Sequence, residues 1–185
     1  MSQPSRKPPR SRDTSIDSIN PHNTEAEARN QRLQTIERAR TLSRDYKARG
    51  FHCSEATIRA CSEAIGLTLP EGVIRSACGF RGGGGGYGDR CGVIEAGCMI
   101  LSYQYGRMSP EEELWPYSYL IRTLHQRFED HFGTLYCRDI KAVEIEKGAD
   151  PFCLTTYQDG AAIVTGLLYE AEHLLANIPE AEKTG

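Results

Sequence analysis

The stretch that most constrains this chain is Arg81 to Cys98, RGGGGGYGDRCGVIEAGC, where five consecutive glycines run toward a cysteine. Glycine tolerates φ > 0 and lets other groups come close to the backbone, at an entropic cost when it is fixed. Five in a row require a tight turn, a ligand or a close packing contact to explain them. An apolar run of helical character begins after Cys91, so the loop delivers a thiol to a helix start. Three more of the seven cysteines fall at comparable places. The rest of the chain reads as scaffold that brings those thiols together.

A chain of 185 residues fits one domain and a tail, long enough to bury a real core. Residues 1–23 are rich in Ser, Pro and Arg and read as a disordered basic arm carrying Arg6, Lys7, Arg10 and Arg12. Residues 24–178 form the folded part and 179–185 a flexible end. A net charge of −3 gives no overall attraction to nucleic acid or to an anionic membrane. The N-terminus has no apolar h-region. The longest apolar run, Val93 to Tyr105, contains Glu95 and falls short of the roughly 18 residues a membrane span needs. These features place the protein in the reducing cytoplasm, where spaced cysteines signify metal or redox chemistry more often than structural disulfides.

The periodicity predicts an all-α fold, a single bundle of five to seven helices around the glycine loop. The first helix spans Thr24 to Arg49, with Leu33, Ile36, Ala39, Leu42 and Tyr46 in one narrow stripe and Thr24 and Glu27 as a capping box. That stripe leaves room for a homodimer. Ser54 caps a second helix ending at Ile65, and a short helix runs from Pro70 to about Cys78. A buried helix follows from Cys91 to Tyr105, with Asp89 as its N-cap. Ser109-Pro110-Glu111-Glu112 opens a further helix to Phe132, and Pro116 either kinks it or marks its true start. Cys137 precedes a short helical turn. The last helix runs from Thr155 to Asn177 and buries Val164, Leu167, Leu168, Ala171, Leu174, Leu175 and Ile178.

Helix geometry sorts the cysteines. At 1.5 Å per residue, Cys53 and Cys61 are roughly 12 Å apart along one helix and Cys91 and Cys98 roughly 10 Å along another. Neither pair can bond, because disulfides need Cα atoms within about 7 Å. Cys61 and Cys98 sit mid-helix as small buried hydrophobes, and Cys78 ends a short helix beside the loop. Cys53, Cys91, Cys137 and Cys153 stand at or just before helix starts, where exposed N–H groups and the helix dipole favour thiolate. Four such thiolates are the ligand count of a [2Fe–2S] or [4Fe–4S] cluster or of a Cys₄ zinc site. No C-x-x-C pair occurs, so the ferredoxin, rubredoxin, zinc-ribbon and thioredoxin patterns are absent.

Over about Arg44 to Glu172 the order of features resembles the family named for its cysteine pattern, C_GCAxxG_C_C, described as redox-active. Phe51-His52-Cys53-Ser54-Glu55-Ala56 matches that family's early cysteine, and Gly79 to Gly84 with Arg90-Cys91-Gly92-Val93 matches its glycine-rich approach to the second. Phe128, Phe132-Gly133 and Cys137-Arg138 match the phrase around the third, and Cys153 the fourth. Val93 stands where the pattern has alanine and Ala96 where a later glycine is expected. A related module occurs in a multihaem cytochrome of the split-Soret type and is associated with an iron–sulfur cluster. The resemblance therefore implies a cluster here; without C-x-x-C-H the chain has no c-type haem attachment of its own.

Three functions follow as expectations. In the first, Cys53, Cys91, Cys137 and Cys153 hold an iron–sulfur cluster. Gly82, Gly83, Gly84 and Gly92 then let backbone N–H groups approach it, and electrons pass to a redox partner protein. The chain would be an oxidoreductase component rather than a stand-alone enzyme. In the second, Cys53 and Cys91 cycle between dithiol and disulfide without metal. In the third, the four thiolates bind structural zinc and function lies in a protein partner. The glycine run lacks the Gly-Lys-Ser/Thr of a P-loop. His52 reads as a partly exposed bystander, and His125 and His131, six residues apart, do not share a helix face.

Overall fold

The computed structural model describes residues 25–148 and 153–183. Among them the chain forms seven α-helices and no extended sheet. These are α1 (Glu25–Ala48), α2 (Cys53–Ala64), α3 (Glu71–Ser76), α4 (Gly92–Tyr105), α5 (Trp115–Phe132), α6 (Cys137–Glu146) and α7 (Leu154–Ala176). A 3₁₀ turn, Ala77–Phe80, joins α3 to the glycine loop. The all-α expectation holds; Thr24 and the basic arm lie outside the described residues.

Helix α4 is the centre, packed against α2, α5 and α7, while α1 lies along α7 and α2. Its small residues allow this. A Cβ on Gly97 would sit 2.8 Å from both Leu124 of α5 and Val164 of α7, and one on Gly160 of α7 would sit 2.4 Å from Val93. The helices therefore approach with no methyl to spare, around fully buried Ile94, Ile100, Leu101, Leu120, Leu124, Phe128 and Leu167. Two buried-edge carboxylates on α7 each tie two side chains from neighbouring helices. Glu170 takes Arg32 of α1 and Arg127 of α5, and Asp159 takes Arg40 of α1 and His131 of α5. Leu33, the first residue of the narrow stripe on α1, is 55% exposed.

Several boundaries differ from the sequence reading for physical reasons. Helix α5 begins at Trp115, not at the Ser109-Pro110 box. Proline in a helix interior would remove a hydrogen bond and clash with the carbonyl four residues back, so Pro116 occupies the first turn, where no N–H is needed. Residues 109–112 close as a turn, with the Glu112 N–H on the Ser109 carbonyl at 3.2 Å. The N-cap of α2 is His52 rather than Ser54: Cys53 is already helical, and the His52 N–H donates to Glu55 Oε2 at 3.0 Å. The N-cap of α4 is Cys91 itself, not Asp89. After Cys137 comes a helix of ten residues rather than one turn.

Candidate functional site

The glycine run folds as a left-handed loop. Gly82 to Gly86 have φ of 59°, 72°, 79°, 64° and 98°, a region costing other L-residues about 1–2 kcal/mol each. The loop closes on itself. Gly86 N–H donates to the Arg81 carbonyl (2.9 Å), Gly88 N–H to Gly82 (3.0 Å) and Asp89 N–H to Gly83 (3.1 Å). Its outgoing end then pairs with the approach to α6. Arg90 and Tyr136 form an antiparallel bridge. Cys91 N–H donates to the Leu135 carbonyl (2.9 Å), Cys137 N–H to Asp89 (2.7 Å) and Arg138 N–H to Gly88 (3.1 Å). Two cysteine-bearing helix starts are thereby fixed side by side through backbone alone.

Cys53 joins them through glycine packing. A Cβ on Gly92 would lie 2.7 Å from Cys53 Sγ and 2.6 Å from the Phe80 carbonyl oxygen, and one on Gly83 would lie 2.8 Å from Cys137 Cβ. Gly92 and Gly83 thus bring backbone against the Cys53 thiol and against Cys137. Gly82 packs on Gly86 within its own loop, and Gly84 faces open space. Cys153 is the N-cap of α7 and, among the described residues, the single non-glycine with positive φ, at 64°. Such strain persists only where surroundings impose it. Thr156, one turn on, donates its hydroxyl to buried Glu144 of α6 at 2.9 Å. This bond ties the Cys153 end of α7 to the helix that Cys137 opens.

The four thiols act on one another electrostatically. Burial pushes the Cys91 thiol up from its ordinary value, and charge on Cys53, Cys137 and Cys153 pushes it further. Burial raises Cys137, with Cys53 adding to it and Lys141 opposing. Cys153 is pushed up to about 11 by burial, then by Cys137, Glu144 and Cys53, against Lys47. Helix N-termini were expected to favour thiolate here. For these three, desolvation and the crowding of like charges outweigh the dipole, whose surface contribution is only about 0.3–1 kcal/mol. Without a cation nearby, Cys91, Cys137 and Cys153 favour the neutral thiol.

The other cysteines stand apart. Cys61 is fully buried, 3.6 Å from the Ala161 carbonyl, with its thiol pushed to about 12 by burial. Cys98 is half-buried against the core beside Glu95, likewise pushed to about 12. Cys78 is exposed on the 3₁₀ turn. All seven are free thiols. His125 meets Arg90 (3.1 Å) and the Ile121 carbonyl, and His131 meets Asp159, so neither belongs to the site.

Two residues of the site escaped the sequence reading. Tyr157 is buried, and its phenol is held above its ordinary value by burial and by Cys53, Cys153 and Cys91. The Lys47 ammonium lies over its ring at 4.3 Å. Tyr157 is one turn from Cys153 on the same helix face, a spacing visible in sequence. Lys47, at the end of α1, gives no such signal. Among the described residues no three His, Cys, Asp or Glu side chains are arranged to hold a metal ion.

A family model described as "Putative redox-active protein (C_GCAxxG_C_C)" matches residues 51–167, which take in all four of these cysteines. That match spans more than half of the chain, and the protein belongs to this redox-active family. Searches of curated proteins and of solved structures each returned no match. No helix among the described residues is long and apolar enough to cross a membrane.

Proposed function

We propose that this protein carries electrons through an iron–sulfur cluster held by Cys53, Cys91, Cys137 and Cys153. The observation that carries the reading is the convergence of four separate helix starts, each bringing one cysteine. Two are locked together by the backbone pairing of residues 88–91 with 135–138, and a third packs against Gly92. The donor set fits the group, because thiolates are the ligands of such clusters and the crowded thiols gain most from a cationic centre. When bound, a cluster supplies a one-electron carrier.

The chain's own residues do the rest. Gly92 and Gly83, lacking side chains, leave backbone close to Cys53 and Cys137. Buried Tyr157 offers a neutral O–H donor among the sulfurs, and Lys47 offsets negative charge near Cys153. Hydrogen bonds and charge around the sulfurs are levers on potential.

Anaerobic purification followed by a visible spectrum and iron, zinc and acid-labile sulfide assays on one sample tests this. Brown protein with near-stoichiometric iron and sulfide is the expected result. Colourless protein containing zinc sinks the reading. Colourless, metal-free protein that also resists iron–sulfur reconstitution sinks it in favour of dithiol–disulfide cycling at Cys53 and Cys91.

A further inference from the structure

Helix α6 buries a carboxylate where its own sequence offers apolar side chains. Its inward face is Cys137, Ile140 and Glu144, a stripe at helical spacing. Glu144 is only 7% exposed, whereas Val143 and Ile145 beside it are 41% and 57% exposed. Taking a carboxylate out of water is costly unless hydrogen bonds or opposite charges offset the loss, so packing alone does not account for this choice.

The attachment of α6 gives the reason. Helices α1, α2, α4, α5 and α7 pack closely on one another, and α6 joins none of them to that extent. Its start is fixed by the backbone pairing with the glycine loop, and its middle by Ile140 in the core. Its second half meets α7 through Glu144, whose Oε1 accepts the hydroxyl of buried Thr156 at 2.9 Å. Both ends of this bond lead to a thiol. Glu144 is roughly two turns along the inward stripe from Cys137, and Thr156 stands in the first turn of α7, directly after its N-cap Cys153. The bond therefore sets how the arm carrying Cys137 stands against the arm carrying Cys153.

The carboxylate also brings charge. His131 of α5 and Lys147 line the same cavity of about 130 Å³ as Glu144. Neither is paired with it: His131 meets Asp159 at 3.0 Å, and Lys147 makes no ion pair among the described residues. The charge reaches Cys153, whose thiol is raised by burial, then by Cys137, then by Glu144.

We infer that Glu144 is a positioning residue for the redox group: through Thr156 it fixes the Cys153 arm against the Cys137 arm, and its buried negative charge keeps that group at a lower potential. The inference rests on the cluster reading above. Negative charge beside a cluster opposes an added electron, so the potential falls with it. Hydrogen bonds behind the ligands fix their orientation.

Variants of the full chain, reconstituted with iron and sulfide, separate the charge from the bond. Glu144→Gln keeps an oxygen for the Thr156 hydroxyl and removes the charge. Thr156→Val keeps the shape and removes the donor, which Thr156→Ser restores. Voltammetry should give a more positive midpoint in Glu144→Gln than in the wild type. Loss of iron to a chelator should be about tenfold faster in Thr156→Val, and near the wild-type rate in Thr156→Ser and Glu144→Gln. A Glu144→Gln midpoint that stays or falls overturns the inference, as does a Thr156→Val protein that keeps its iron as the wild type does. If circular dichroism shows that Thr156→Val does not fold, the Glu144→Gln midpoint decides alone. Wild-type protein that forms no cluster overturns the cluster reading, and this inference with it.

Discussion

Gly92→Ala is the sharpest perturbation of the site that a single methyl can make. The new Cβ would lie 2.6 Å from the Phe80 carbonyl oxygen and 2.7 Å from Cys53 Sγ, about 0.8–1 Å inside ordinary contact. The sulfur ends a side chain and can swing; the carbonyl belongs to the turn that feeds the glycine loop and cannot easily withdraw. Overpacking of this kind costs about 1–3 kcal/mol. The helix-propensity gain on replacing glycine, at most about 1 kcal/mol in a helix interior, is smaller at the first residue of α4. A net loss of about 1–2 kcal/mol corresponds to a Tm lower by about 2–8 °C for a domain of this size.

Stability alone does not isolate the contact, so Gly84→Ala is the companion. Its Cβ meets nothing, but φ of 79° imposes a left-handed strain of about 1–2 kcal/mol. The two variants should lose similar stability, and only Gly92→Ala should also disturb Cys53. Calorimetry gives Tm, and iron and sulfide content together with mass-spectrometric alkylation of Cys53 gives the site. Gly92→Ala with wild-type Tm, metal content and Cys53 reactivity would refute the placement of Cys53 against Gly92, and with it the convergence of the thiols.

Other outcomes follow from the same geometry. The reduced, metal-free protein should lose Tm as pH rises above about 8.5, the unfolded thiol value. Cys91, Cys137 and Cys153 are raised in the fold, so the native state holds more protons than the unfolded chain and its advantage fades with rising pH; a Tm that climbs from pH 7.5 to 10 contradicts this. Cys91→Ser should abolish bound metal and redox response, whereas Cys61→Ser should lower Tm and leave both intact, as read by metal analysis and voltammetry. Gly160→Ala, with its Cβ 2.4 Å from Val93, should lower the urea midpoint by the equivalent of about 1–3 kcal/mol. Glu170→Ala should cost about 1–2 kcal/mol because two arginines lose their partner, measured by the same unfolding curve.

What the sequence determined by itself is local. Apolar stripes at helical spacing placed five of the seven helices closely, and Gly50, Gly66 and Gly133 stopped helices where they stand, all three at positive φ. The glycine run announced a backbone that other residues cannot adopt, and cysteines at helix starts announced where chemistry would gather. The start of α5 was ambiguous because Ser-Pro-Glu-Glu and Pro116 both carry start signals, and the choice rests on which one packs. Only the tertiary structure decided the state of the thiols. A helix N-terminus favours thiolate over a few ångströms, but whether water or three other sulfurs surround it depends on residues far away in sequence. The same holds for Gly92, whose role is the space it leaves for Cys53, and for Lys47 over Tyr157, a pair separated by most of the folded chain. Spacing along one helix can be read from sequence; proximity between helices is created by packing.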